Sequence, residues 1–143
     1  MASSPLVGRW KLESFVLHEP DGKDTYPLGP DAIGQLSYGD DGYVNVLMMS
    51  ATRPKIGWQG LNVGTPQDFE DAYNSVIGYC GRYEVSGDQV IHHIEIATIA
   101  RQPGTDVVRQ FKLEDGKLCL NYQNPAGVQG NLIWTRVQSS ELR

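Results

Sequence analysis

Residues 107–123 read Val107-Val108-Arg109-Gln110-Phe111-Lys112-Leu113-Glu114-Asp115-Gly116-Lys117-Leu118-Cys119-Leu120-Asn121-Tyr122-Gln123. Two runs of alternating apolar and polar residues flank an Asp-Gly pair. A two-residue type I′ hairpin turn selects that dipeptide, because both of its central residues need positive φ. Folding the stretch there sets Leu113 opposite Leu118, Phe111 opposite Leu120 and Arg109 opposite Tyr122. Two apolar pairs share a face with the third pair, so Arg109 and Tyr122 are expected to point inward as well.

The same reasoning extends outward along the chain. A turn at Gly87-Asp88 pairs Val85 with Val90, Tyr83 with His92, Gly81 with Ile94 and Tyr79 with Ile96. Arg82, Glu84, His93 and Glu95 fall on the opposite, solvent face. Asp40-Asp41-Gly42 suits a three-residue loop with glycine in the left-handed position. It sets Tyr38 against Val44 and Leu36 against Val46, with Met48 further along. The first strand offers Trp10, Leu12 and Ser14 to one face, and the last offers Leu132, Trp134 and Arg136.

Further turn signals stand at Pro20-Asp21-Gly22, Gln102-Pro103-Gly104 and Asn124-Pro125-Ala126-Gly127. That rhythm of short runs predicts an all-β antiparallel barrel of about eight strands. They fall roughly at 8–18, 33–38, 43–50, 79–85, 89–99, 107–114, 117–123 and 130–138, in a single domain spanning 1–143. Between the third and fourth of these strands the period changes to 3.6. Thr65 is a candidate N-cap, Pro66 suits the first helical position, and Asp68 sits where a capping box places an acid. Phe69, Ala72, Tyr73, Val76 and Ile77 then share a stripe, which predicts an amphipathic helix over about 66–78 ended by Gly78.

Composition agrees with a globular domain: of 143 residues 40% are hydrophobic and 20% charged, with 16 glycines and 8 prolines to make turns. The net charge of −5, with no basic stripe, argues against a nucleic-acid partner and an anionic membrane surface. No apolar run is long enough to span a membrane, and Met1 to Pro5 lack the pattern of a secretory leader. Cys80 and Cys119 fall in different strands, and the plain reading is a reduced, cytoplasmic protein. Dinucleotide, phosphate-loop, nucleophile-elbow and metal motifs are missing, so no cofactor is expected. His93 and Glu95 have metal-compatible spacing but lack a third ligand, and no metal site is assigned.

Several segments together resemble the lipocalin-like domain family. They are Leu6-Val7-Gly8-Arg9-Trp10, Tyr26-Pro27-Leu28-Gly29-Pro30, Asp41-Gly42-Tyr43, His92-His93-Ile94-Glu95 and Leu132-Ile133-Trp134-Thr135-Arg136. The resemblance runs over nearly the whole chain and implies a calycin-type barrel with an internal ligand pocket. It is compatible both with carriers and with small cofactor-free cyclases and isomerases of secondary metabolism. It also implies that Trp10 plugs the closed end and stacks on the late Arg136.

The inward face is mostly apolar but carries groups that a filled barrel would avoid, since burying an unpaired arginine is expensive. His92 titrates near neutrality in its ordinary state and is a candidate proton carrier, or else a core histidine bonded to Tyr83. Arg109 and Tyr122 can hold a carboxylate, phenolate or enolate oxygen, or can instead form an internal salt bridge or satisfy backbone carbonyls. Tyr38, Met48, Tyr79, Tyr83, Phe111 and Trp134 are expected to wall the pocket. Trp58, in the long loop from Ala51 to Gly64, is expected on a lid. The leading expectation is a cofactor-independent isomerase or cyclase acting on a small apolar, polyketide- or terpenoid-like molecule, with His92, Arg109 and Tyr122 as its catalytic groups. A non-catalytic carrier or sensor of such a ligand is the alternative, and a homodimer stays open.

Overall fold

The structure is a computed structural model that describes residues 4–56 and 64–138. Eight antiparallel strands close into a barrel: β1 Gly8–His18, β3 Ile33–Tyr38, β4 Tyr43–Met49, β5 Val76–Ser86, β6 Gln89–Ala97, β7 Asp106–Glu114, β8 Lys117–Gln123 and β9 Gln129–Arg136. Each pairs with the next, and β9 returns to β1 to complete the cylinder. A two-residue strand, β2 Asp24–Thr25, adds to the far end of β1. Among the described residues no helix is long and apolar enough to cross a membrane.

The tight turns set the registers as expected. Asp115 and Gly116 both have positive φ, and Leu113 pairs with Leu118 and Phe111 with Leu120. Gly87 takes positive φ at the first central position, as a type II′ turn requires, and Val85 meets Val90 and Tyr83 meets His92. Tyr38 pairs with Val44 and Leu36 with Val46 across the Asp40–Gly42 loop.

Two bulges change what lies beyond these turns. In β6 the register shifts after Gly81–Ile94, so Cys80 meets Ile96 and Tyr79 meets Ala97 rather than Ile96. A Cβ at position 81 would collide with the His93 carbonyl oxygen, so glycine lets the bulged backbone press against β5. Ile96 is thereby turned out, 68% exposed, while Tyr79 keeps its inward direction and packs on the core. In β1 the register shifts between Leu12 and Ser14. Phe15, at 7% exposure, takes the core position expected for Ser14.

The helix is shorter than its pattern suggests. α1 covers Pro66–Tyr73, with Thr65 accepting from the Asp68 backbone and Asp68 accepting from the Thr65 backbone, the reciprocal capping box. It ends at Asn74, and Val76, Ile77 and Gly78 belong to β5, opposite Met49, Met48 and Leu47. The β-branched pair continues the helical stripe by chance but gains more as strand, where it completes the β4–β5 ladder. Counting β2, the helix lies between the fourth and fifth strands. None of its residues is buried.

The core fills the barrel from one end. Trp10 is fully buried and donates its indole N–H to the Leu6 carbonyl at 2.9 Å. The Arg136 guanidinium lies 4.1 Å from the Trp10 ring and donates to the carbonyls of Val7 and Pro5. This cation–π cap, as the resemblance implied, ties the last strand to the chain that enters the first.

Candidate functional site

Above that plug the packing opens into a largely enclosed cavity of about 170 Å³. Met48, Tyr79, His92, Arg109, Tyr122 and Trp134 line it, all six expected from sequence. Phe15, Leu36, Ile77, Leu120 and Leu132 supply apolar wall between them. Tyr38, Tyr83 and Phe111 lie outside the lining, packed in or against the core behind it. Trp58 lies outside the described residues.

The strands bring the polar groups together in two clusters. In the first, His92 is 2% exposed and sits between two tyrosines. Its Nε2 lies 2.7 Å from the Tyr38 hydroxyl and its Nδ1 lies 2.5 Å from the Tyr79 hydroxyl. Tyr83, the partner considered from sequence, instead donates to the Gly39 carbonyl at 2.7 Å. Its ring packs edge-on against Tyr38, 4.8 Å between centroids.

Burial, with the positive charges of Arg109 and His93 adding to it, pushes the His92 pKa down to about 3, so the imidazole is neutral. Burial likewise raises Tyr79 to about 12 and Tyr38 well above its ordinary value, so both phenols keep their protons. A neutral imidazole offers one N–H and one lone pair to two hydroxyls. Tyr38 is 1% exposed, and the acceptor within its reach is His92 Nε2, to which it therefore donates. That fixes the tautomer: Nδ1 carries the proton and donates to Tyr79. The Tyr79 O–H is then free to donate elsewhere, and Tyr79 lines the cavity.

In the second cluster the Arg109 guanidinium stacks over the Tyr122 ring, 4.0 Å from its centroid. Gly130, directly across from Tyr122, makes room for that ring, since a Cβ there would collide with it. The hydrogen bond Arg109 makes to protein is a long one, 3.4 Å, to the carbonyl of Val108. Among the described residues no carboxylate lies within 4.0 Å of it, and burial depresses its pKa. Cation–π stacking offsets part of the cost of desolvating a guanidinium, and apart from that long bond its N–H groups meet no partner among the described residues.

Two further polar atoms face inward alone. Trp134 Nε1 and Gln102 Oε1 are buried without a hydrogen-bond partner among the described residues, and both residues line the cavity. Gln102 and Ile99 come from the segment joining β6 to β7, which forms the cavity's lip. That segment is well tied: Thr98 Oγ1 accepts from Gly78 N, Ala100 N donates to the Tyr73 hydroxyl on α1, and Gly104 N donates to the Ile94 carbonyl. Sequence reading took Gln102-Pro103-Gly104 only as a turn. The apolar Ile99 three residues before it was the available signal that this turn folds over the barrel end.

A larger open groove of about 990 Å³ runs along the outer face, where Gly78 leaves a gap among Ile33, Leu47, Met49, Cys80 and Ile96. It lacks the convergent, buried polar groups of the interior. The candidate site is therefore the smaller cavity. Elsewhere, His93 meets Asp106 at 2.8 Å and Glu84 at 3.7 Å on the surface, and no group of three metal-ligating side chains occurs among the described residues.

A redesigned β-barrel aligns over 93% of this chain and 92% of its own, with 13% identity and a TM-score of 0.46. A lipoprotein, YedD, from Klebsiella pneumoniae subsp. pneumoniae aligns over 96% of this chain and 75% of its own, with 13% identity and a TM-score of 0.44. A search of curated protein sequences finds no match. The model of the lipocalin-like domain matches residues 7–137, almost the whole barrel, and the chain belongs to that family.

Proposed function

We propose that this barrel binds a small, largely apolar molecule in its interior and serves as a carrier or sensor of it. The observation that carries this reading is the enclosed cavity whose largely apolar wall holds, among the described residues, an arginine without a carboxylate partner and two unpartnered polar atoms. A barrel selected only for stability gains nothing from these groups, each of which costs desolvation. The volume is below the usual range of about 300–1,000 Å³ for ligand sites. An engineered apolar cavity of about 150 Å³ takes benzene, so the ligand, or the part of it held inside, is on the scale of one ring.

A second reading, a cofactor-independent isomerase or cyclase, is favoured by the Tyr38–His92–Tyr79 chain, which can pass a proton to the cavity. The pKa directions weigh against it. General acid–base catalysis wants groups titrating near the working pH, whereas His92 falls to about 3 and Tyr79 rises to about 12. Such an enzyme would act through orientation and donation to a developing oxyanion.

Native mass spectrometry of protein purified from cells tests the first reading. A retained molecule of one- or two-ring size, recovered unaltered after long incubation, is the expected result. Recovery of a changed product supports the second reading. Empty protein whose melting temperature no apolar metabolite shifts refutes both.

A further inference from the structure

Among the described residues the wall of the cavity offers more open hydrogen-bond donors than acceptors. Among the described residues Arg109 presents a guanidinium with no carboxylate partner and Trp134 an indole N–H without an acceptor, and Tyr79 presents the hydroxyl proton left over by the His92 tautomer. All three line one space of about 170 Å³, roughly 7 Å across if spherical, so a single small molecule reaches more than one of them. No aspartate or glutamate among the described residues lines it. One permanent positive charge and two neutral donors outweigh the one open acceptor, the Gln102 amide oxygen at the lip, and match a ligand with one negative charge shared over several acceptor lone pairs.

We infer that the cavity recognises a monocyclic carboxylic acid in its ionised form, with the carboxylate held by Arg109 and hydrogen-bonded by Tyr79 or Trp134 and the ring against Phe15, Ile77 and Leu120. The inference rests on the interior being a ligand site at all. A carboxylate offers about four lone-pair sites in the plane that a guanidinium fork matches. A dianionic phosphate ester would bring a second charge with no cation to balance it, a heavy cost in a desolvated space. A neutral hydrocarbon would leave the buried donors unused.

The test uses benzoate, benzyl alcohol and toluene as size-matched probes, titrated calorimetrically into the full-length protein near pH 7, where benzoate is ionised. Benzoate is expected to bind roughly ten- to a hundred-fold more tightly than benzyl alcohol, the scale of a buried charge-assisted hydrogen bond. Arg109→Met is expected to erase that preference, with circular dichroism and the thermal melt reporting that the barrel is folded. Tyr79→Phe, which keeps the ring in place, is expected to weaken benzoate several-fold more than it weakens toluene. Equal binding of the three probes to the unmodified protein overturns the carboxylate assignment but leaves the interior site standing. Binding of none overturns both. A benzoate preference that survives Arg109→Met removes Arg109 as the anion anchor.

Discussion

Lowering the pH from 8 to 5 is expected to unload stability from this barrel through His92. In the unfolded chain the imidazole titrates near 6.5, while in the barrel it stays neutral until about pH 3. Between those values the unfolded state binds the extra proton, so stability falls as pH falls. The stability tied to neutral His92 is complete above about pH 6.5 and has been lost once the pH passes below about 3. At 1.36 kcal/mol per unit, the loss is about 2 kcal/mol at pH 5 and about 3 kcal/mol at pH 4. His93 works in the opposite sense: its hydrogen bond to Asp106 raises its pKa, so its contribution is full at low pH and fades as the pH rises. The assay is therefore a difference. Urea unfolding of the unmodified protein and of His92→Gln at pH 8, 6.5, 5 and 4 cancels His93 and the surface carboxylates. The gap between the two proteins should narrow by about 2 kcal/mol from pH 8 to pH 5. Parallel curves would mean that His92 takes up its proton inside the folded barrel near its ordinary pKa, and the buried imidazole would not be held neutral at pH 5.

Gly81→Ala, which drives a methyl group into the His93 carbonyl, should cost about 3 kcal/mol or more and be visible as a collapsed urea midpoint; a midpoint within experimental error of the unmodified protein would deny the close β5–β6 approach. Arg136→Met removes the stack on Trp10 and two bonds to the Pro5 and Val7 carbonyls, and should cost about 2 kcal/mol while exposing the first residues to limited proteolysis. Gln102→Leu replaces a buried unpaired acceptor by apolar surface and should raise stability by about 1 kcal/mol in thermal melts, a loss of stability arguing instead for a partner to that amide.

The parts of the barrel legible in sequence are those governed by turn chemistry. Asp115-Gly116, Gly87 and Gly42 each need a backbone conformation that few residues adopt, and each fixes the register of the strands around it. That is why the inward side chains of β7 and β8, Arg109 and Tyr122 among them, follow from spacing alone. A bulge leaves no such mark. The extra residue in β1 and the one in β6 are both glutamates facing solvent, indistinguishable from ordinary alternation until the partner strand is seen. The end of α1 was illegible for a related reason, since Val76 and Ile77 satisfy the helical period and the strand equally well. In the site, the identity of His92's partners was out of reach, because Tyr38 stands 54 residues from it and Tyr83, directly opposite, was the nearer choice. Gln102 was hidden by its turn-like neighbours.

The pairing of β9 with β1 has a consequence for how the chain is made. From Ser14 to His18, β1 has β9 as its main neighbour, with β2 touching only the last two residues. On a ribosome adding about 5–20 residues per second, those groups emerge early and wait several seconds for Gln129–Arg136 to follow. Contacts so distant along the chain make closure slow once synthesis ends, and they leave a β edge unpaired in the interval. The nascent barrel is therefore most open to self-association just before its last strand arrives. A chain permuted to begin at β2, with β9 running through a short linker into β1, would join the two strands locally and should fold faster at equal stability.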